Sequence, residues 1–189
     1  MSLSRHLRTG LRGKLTPPRI LPILTHPDER LRRPSQEVDF NTEEDLDRLL
    51  RDMVATMRRF EGAGLAAIQV GIPKRLFVYD DSEKSDNPRV LINPVLRSCS
   101  EEIVARDEGC LSFPGLYRPL ERPAEVTVAG FDYDGKPLEI SAEGLLARIF
   151  LHELDHLDGI NFIEHIDKPQ RMAALREYFD LASATTATS

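Results

Sequence analysis

The sequence has 189 residues, enough for one domain with a sizeable core, and we do not expect a second full domain. Apolar residues make up 41% and charged residues 30%, a balance typical of globular proteins rather than of disordered or fibrous chains. No run approaches the roughly 18 consecutive apolar residues that a transmembrane helix needs, so we expect no membrane partner. Two cysteines are too few for a disulfide framework, and we expect both to be reduced.

The formal net charge of −6 is divided unevenly along the chain. Residues 1–35 carry a charge of +6, and the remainder carries −12. The acidic body argues against DNA binding, which needs a basic surface. The basic head is interpreted either as a solvated arm or as a contact for ribosomal RNA. Residues 1–16 contain no acid and weakly resemble an organellar transit peptide, so an organellar location is the alternative to the expected bacterial cytoplasm.

Four prolines between residues 17 and 27 interrupt the opening segment, which favours extended or looped structure. We therefore expect residues 1–20 to form a basic, flexible extension. Residues 21–181 are predicted to form a single domain. The small and polar residues 182–189 are predicted to be a flexible tail.

Helical and strand-like patterns follow in chain order. Apolar residues recur at helical spacing from Leu46 to Phe60, which predicts a first helix. The strand-like runs are 75–79, 90–92, 125–131 and 138–140. The largely apolar segment 144–157 predicts a mostly buried helix, and a last helix is predicted at about 169–181. A helix, several strands and a buried helix indicate an α+β fold rather than a regular βαβ alternation.

Residues 152–156 (HELDH) give the strongest local signal for chemistry. His152 and His156 are four residues apart, so they share one face of the predicted buried helix and can bind one metal ion. Glu153 lies beside the first histidine and can act as general base on a water at the metal. The alternative is a pair of histidines packed on an apolar helix. Burying these polar groups without partners would be costly, so we favour metal binding.

A catalytic metal of this kind needs a third protein ligand and one open position. A metzincin-like third histidine would stand six residues after His156, where the chain has Phe162. His165 lies past the predicted helix end, and Glu164 would suit a gluzincin-like protease, although such glutamates usually lie further downstream. Cys110 is the remaining candidate, since a thiolate is a strong ligand for a borderline-soft ion.

Three separate segments carry a resemblance to a known family. They are residues 62–69 (GAGLAAIQ), 108–112 (EGCLS) and 152–156 (HELDH). In this order they resemble the peptide deformylases, and the similar pattern runs from about Leu21 to Ile166. The resemblance implies antiparallel strands packed around a central buried helix that bears the HExxH motif, with N-terminal and C-terminal helices.

The resemblance implies that Cys110, His152 and His156 hold one divalent metal ion, with water in the fourth position. In this family the ion is typically Fe(II) in cells, and zinc, nickel or cobalt can replace it. The sequence itself does not select among these metals.

The resemblance also implies three catalytic groups. Glu153 takes a proton from the water and later delivers one to the departing amine. The side-chain amide of Gln69 and the backbone N–H of Leu111 steady the oxyanion that forms at the formyl carbon. Fixed donors aimed at a developing charge typically contribute on the order of 3 kcal/mol each. Without the resemblance, Gln69 would be interpreted as a loop-capping side chain.

Five residues are expected to contact the substrate. Gly62 and Gly64 suit a chain that passes close to a bound peptide backbone, and in the family this segment pairs with the substrate as an added strand. Their alternative is a helix cap followed by a turn. Leu65, Arg148 and Ile149 are expected around the pocket for the methionine side chain. The stem of Arg148 could line its wall while the charged end finds water or an acid, and the alternative is an ordinary surface arginine.

Four further residues carry weaker expectations. Glu108 is interpreted as support for a metal ligand or as a solvated loop acid. Cys99 has no motif around it and is predicted to fill the core. Tyr117 and Arg118 are expected at the rim that meets longer peptides.

The resemblance implies an enzyme that removes the formyl group from the N-terminal formyl-methionine of nascent polypeptides and releases formate. Its implied partners are the nascent peptide and the ribosome near the exit tunnel, with the last helix or a basic patch as contact. We expect a monomer. One competing hypothesis is a zincin-type endopeptidase, which would not need Cys110. Another is a non-catalytic protein that recognises nascent chains.

Overall fold

The computed structural model describes residues 17–42, 45–80 and 88–186. Within these ranges the chain forms three α-helices and seven strands. The helices are α1 (Leu46–Arg59), α2 (Gly144–Leu157) and α3 (Lys168–Thr186). The strands are β1 (Gly64–Ala66), β2 (Leu76–Tyr79), β3 (Arg89–Cys99), β4 (Ile103–Cys110), β5 (Phe113–Pro123), β6 (Glu125–Phe131) and β7 (Pro137–Glu143). Short 3-10 turns lie at Glu29–Arg32, Ala67–Val70 and Phe162–His165.

The strands form two antiparallel sheets. Five of them pair in the order β1-β2-β3-β6-β7, and β4 pairs with β5 in a separate two-stranded sheet. The α+β class and the antiparallel sheets expected from the sequence are therefore confirmed. Because β1 ends the order of the five-stranded sheet, one of its edges does not pair with another strand of that sheet.

Helix α1 packs through the apolar stripe that the sequence predicts. Leu50, Met53 and Met57 have no exposed surface and share a core cluster with Leu65 and Val78 of the five-stranded sheet. The helix ends at Arg59, one residue before the predicted end. Burial of this stripe, rather than intrinsic helix propensity, supplies most of its stability.

Helix α2 lies against the five-stranded sheet and is buried on most of its surface. Phe150 packs edge-on against Tyr79 of β2, with ring centroids 4.9 Å apart. The bounds of α2 match the predicted segment 144–157. Gly159 follows the helix with a φ of +76°, and a Cβ there would lie 2.6 Å from the carbonyl oxygen of Arg32. Glycine is therefore required where the chain leaves the helix.

Strand β3 differs from its prediction. The run was expected to end at Ile92, before an Asn-Pro pair, but the strand continues to Cys99 with irregular register next to Asn93. Asn93 adopts a φ of +49°, and its side chain bonds both the N–H and the carbonyl of Val38. These bonds hold the irregularity, so pairing with β6 resumes at Val95.

Packed and helical structure reaches further toward both ends of the chain than the sequence predicts. Arg19 contacts Asp52 of α1 through its backbone and side chain, and α3 continues to Thr186. Residues 1–16 and 187–189 lie outside the described part, so the division into extension, domain and tail stays a prediction. No helix among the described residues is both long and apolar enough to span a bilayer.

Candidate metal centre and peptide cleft

A cleft of about 650 Å³ lies where α2, the segment before β1 and the β4–β5 turn come together. Among the residues predicted for the site, its walls contain Gly62, Gly64, Gln69, Cys110, Leu111, Arg148, Ile149, His152 and Glu153. They come from three separate parts of the chain, and the fold brings them to one place. The volume suits a short peptide segment.

Cys110, His152 and His156 form the one group in the described residues whose ligand atoms could hold a metal ion together. Their ligand atoms lie within 4.8 Å of one another, and Cys110 Sγ is 3.2 Å from His156 Nε2. Cys110 ends β4, whereas the histidines stand one turn apart on α2. Burial would raise the pKa of the Cys110 thiol, but the imidazoles of His156 and His152 lower it to about 5. The sulfur is therefore a thiolate at neutral pH, the form that ligates metals.

The carboxylate of Glu108 fixes the ring of His152. Glu108 Oε1 is 2.7 Å from His152 Nδ1, which leaves Nε2 of that ring available as a ligand atom. Burial opposes the charge on Glu108, but contacts with His152 and Arg122 lower its pKa. Glu108 is buried, so its interpretation as a solvated loop acid is wrong.

Arg122 of β5 joins the two carboxylates that flank the histidines, and sequence reasoning missed it. Its guanidinium donates two bonds to Glu108, of 2.7 and 3.2 Å, and one of 2.7 Å to Asp155. Asp155 lies between the paired histidines on α2 and also bonds His165. The network therefore ties the β4–β5 sheet to the helix that carries both imidazoles.

Replacing Arg122 with leucine should lower the free energy of unfolding by about 3 kcal/mol, because Glu108 and Asp155 lose a buried cationic partner. Urea denaturation measures this change. Arg118→Leu is the matched control on the same strand, since its pair with Glu177 is exposed and should contribute under about 1 kcal/mol. Equal losses in the two variants would contradict a structural role for the Arg122 network.

Gln69 is held in a defined orientation in the 3-10 turn after β1. Its Oε1 accepts a 2.9 Å bond from the N–H of Ala66, so the amide nitrogen points the other way. That nitrogen lies 3.2 Å from Ser112 Oγ and 3.5 Å from Cys110 Sγ. Gln69 is therefore not a loop cap alone, because its amide nitrogen points toward Cys110. Ser112 is fully buried and was not singled out from the sequence.

Glu153 is buried at the floor of the cleft, beside the first histidine. Burial raises the pKa of its carboxyl to about 7. Within the described residues its Oε2 has no hydrogen-bond partner. A carboxyl of this kind can exchange a proton near neutral pH with a molecule in the cleft.

Gly64 packs directly on this carboxyl group. A Cβ at Gly64 would overlap Glu153 Oε1 and would lie 2.9 Å from its Cδ. A side chain at this position would therefore push the carboxylate out of place. Gly62 is less constrained, since a Cβ there would meet the flexible tip of Leu111 at 2.8 Å.

With Glu153 as the predicted general base, Gly64→Ala should lower kcat/KM by about 100-fold with the metal retained, because a shift of about 1 Å in such a group has that effect. Gly62→Ala is the comparison variant. Its decrease in kcat/KM should be smaller, because the Leu111 side chain can move aside. The measurements are the formate release that the sequence resemblance implies and the metal content of both variants. A smaller loss in Gly64→Ala than in Gly62→Ala would contradict it.

The predicted substrate residues are only partly brought to the cleft. Ile149 and Arg148 line it, but the fully buried Leu65 side chain packs in the core with α1, so only its backbone can meet a ligand. Arg148 is 7% exposed, and its guanidinium bonds Glu108, so its interpretation as a surface arginine is wrong. The sequence predicts water or an acid as the partner of the Arg148 guanidinium, and in the structure that partner is Glu108.

Other residues weighed from the sequence lie elsewhere. Glu164 accepts bonds from Asn161, and His165 bonds Asp155, so neither belongs to the group of three metal candidates. Tyr117 is exposed on the cleft wall, whereas Arg118 pairs with Glu177 on α3. Cys99 is exposed at the end of β3, so the prediction that it fills the core is wrong.

Comparisons of the sequence and of the structure with known proteins find the same family. The family model described as polypeptide deformylase matches residues 20–172. A peptide deformylase of Maricaulis maris is 43% identical over 157 residues, which cover 82% of this chain and 90% of that protein. The crystal structure of a peptide deformylase from Legionella pneumophila has a TM-score of 0.83 at 39% identity and covers 88% of this chain and 98% of that chain. A crystal structure of peptide deformylase from Ehrlichia chaffeensis in complex with actinonin has a TM-score of 0.79 at 38% identity and covers 84% and 95%, respectively.

Proposed function

The chain belongs to the polypeptide deformylase family, and from this membership we propose that it removes the formyl group from the N-terminal methionine of nascent polypeptides and releases formate. One observation carries the proposal. The ligand atoms of Cys110, His152 and His156 lie within 4.8 Å of one another, next to a peptide-sized cleft that Cys110, His152, Glu153 and Gln69 line. Family membership and the chemistry of the cleft point to the same reaction.

The three donors fit a divalent metal ion. One thiolate and two imidazoles suit a borderline-soft cation, and Glu108 orients one imidazole as second-sphere carboxylates commonly do at metal sites. When bound, such an ion supplies Lewis-acid polarisation of the formyl carbonyl and a water of lowered pKa. Fe(II) is the ion proposed in cells, and zinc, nickel or cobalt are the proposed substitutes.

Glu153 is the proposed general base and acid. Its pKa of about 7 suits both tasks, since the group can accept a proton from the attacking water and then donate it to the departing amine. The acceptor atom Oε2 is buried and has no partner in the described part of the chain, so it is free to serve water. Gly64 keeps this carboxyl group within reach of the cleft.

Gln69 and Leu111 are the proposed donors to the oxyanion. The bond from Ala66 to Gln69 Oε1 aims the amide N–H groups toward Cys110. A neutral amide donates without neutralising the nucleophile. Leu111 directly follows Cys110 on the cleft wall, where its backbone N–H can serve as the second donor. Such preorganised donors stabilise charge that develops only in the transition state.

The substrate backbone is proposed to add to the edge of β1 that pairs with no other described strand. Gly62 and Gly64 line the cleft beside that edge, and main-chain bonds to an extended peptide do not depend on its sequence. Ile149 and the stem of Arg148 then face the first side chain of the substrate.

Incubating the purified protein with formyl-methionyl peptides and a divalent ion tests the function. We expect one formate for each formyl peptide that is converted to the free amine. We expect no acetate from the matched acetyl-methionyl peptide, because its larger acyl group crowds the site. Metal analysis of protein purified without oxygen identifies the native ion. Stoichiometric binding of formyl peptide without formate release would contradict the enzyme and favour a binding protein.

The ribosome is the proposed partner that supplies the nascent chain, with α3 as contact. Met172 and Phe179 on this helix are 48% and 45% exposed, whereas Tyr178 anchors it by bonding the carbonyl of His26. Cosedimentation with ribosomes tests the proposal, and double substitution of the two exposed residues by serine should reduce it. A bacterial cytoplasmic location and a monomeric state stay predictions from the sequence.

A further inference from the structure

Arg148 separates two cavities. On one side is the cleft of about 650 Å³ that Cys110 and His152 line. On the other side, between β4 and the beginning of α2, is a cavity of about 440 Å³. Its walls are formed by Glu102, Val104, Arg106, Pro123, Ala124, Glu125, Glu143, Gly144 and Arg148. Arg148 is the one described residue that lines both.

The side chain of Arg148 is fixed in this position. Its Nη1 donates a 2.9 Å bond to Glu108 Oε2 and lies 3.2 Å from the carbonyl of Leu120, and its Nη2 donates a 2.8 Å bond to the carbonyl of Val104. The side chain is only 9% exposed. A guanidinium held from several directions is a rigid partition rather than a mobile surface group.

The partition stands next to the reacting centre. Arg148 precedes His152 by four residues, so both side chains lie on the same face of α2, one turn apart. Ile149 completes the apolar part of the wall. A substrate side chain that enters here from the metal end therefore meets the stem and then the guanidinium of Arg148.

We propose that Arg148 is the end wall of the pocket for the first side chain of the substrate and limits that side chain to about the length of methionine. The inference rests on the proposed function and adds the residue that sets its length specificity. Shortening Arg148 would join the two cavities, and a longer unbranched side chain could then extend from the cleft into the space beyond.

The experiment uses formyl peptides whose first residue is norleucine, 2-aminooctanoate or 2-aminodecanoate, a series of increasing unbranched length. Wild-type kcat/KM should fall by about tenfold or more from norleucine to 2-aminooctanoate, the range that pocket fit commonly gives. In Arg148→Ala the ratio of the two values should shift toward the longer substrate by at least about tenfold. Arg148→Val should give a smaller shift in the same direction.

Arg148→Met is the matched control, because it keeps the length of the wall and removes the guanidinium. It should lose activity on every substrate through the lost contact with Glu108, and it should keep the wild-type order of substrates. Circular dichroism establishes that each variant is folded. If Arg148→Ala does not fold, the Arg148→Val ratio decides the question.

Two failures are distinguishable. If the wild-type protein releases no formate from the norleucine peptide, the proposed function is overturned and the inference with it. If the wild-type protein is active but the alanine and valine variants keep the wild-type ratio, the end wall lies elsewhere and Arg148 acts only through Glu108.

Discussion

Glu153→Gln should lower kcat for formate release by about 10²- to 10⁴-fold, the contribution typical of a positioned general base. Glutamine has nearly the same shape as glutamate, but its amide cannot accept a proton from water. The pKa of Glu153 is raised to about 7 by burial, and the substitution removes this titrating group without a new cavity. Because Glu153 is not among the three metal candidates, the variant should keep its metal.

Initial rates of formate release and metal content of the same preparation measure both expectations. Glu164→Gln is the control, since Glu164 lies beyond the end of α2 and its side chain accepts bonds only from Asn161 among the described contacts. Its rate should stay within about twofold of the wild-type rate. Near-normal turnover in Glu153→Gln would mean that another group moves the proton and that the proposed mechanism is wrong.

The helices and the β6–β7 hairpin were predictable because their signals are local. Helix α2 has the predicted bounds, and β6 agrees with the run 125–131. In each case apolar residues recur with the period of the element, since one face or all faces are buried. Such patterns are imposed by the core and can be found without knowing which element packs against which.

The β4–β5 sheet was not predicted, and its burial pattern explains why. Half of the residues of β4 are exposed, and in β5 the buried apolar residues Phe113, Leu116 and Leu120 are three and four positions apart. Prolines at 114, 119 and 123 further favour loop over strand. Strand β1 was missed because it has three residues, one of them glycine.

The metal candidates were predictable from residue chemistry, whereas the network behind them was not. The spacing of His152 and His156 places both on one face of a helix, and Cys110 belongs to a second recognisable segment. The contacts of Arg122 with Glu108 and Asp155 join residues that are 14 and 33 positions apart. No local pattern predicts such pairs, because they depend on how the β4–β5 sheet docks on α2.

Cys110→Ser should weaken metal binding by more than about 100-fold, a larger loss than second-sphere substitutions commonly cause. The thiol has its pKa lowered to about 5 by the two histidines, so at neutral pH it offers a thiolate. A serine hydroxyl stays protonated under the same conditions and is a poor ligand for a borderline-soft ion. Competition with a chelator measures the affinity, and formate release should fall in parallel.

Cys99→Ser is the matched control for this loss. Cys99 is an exposed thiol at the end of β3 and lies outside the three metal candidates, so its substitution should leave both metal affinity and formate release near the wild-type values. A Cys110→Ser protein that keeps its ion would require a third ligand other than the thiolate, such as a carboxylate. That result would favour the endopeptidase type of site, because such a site does not need the thiolate.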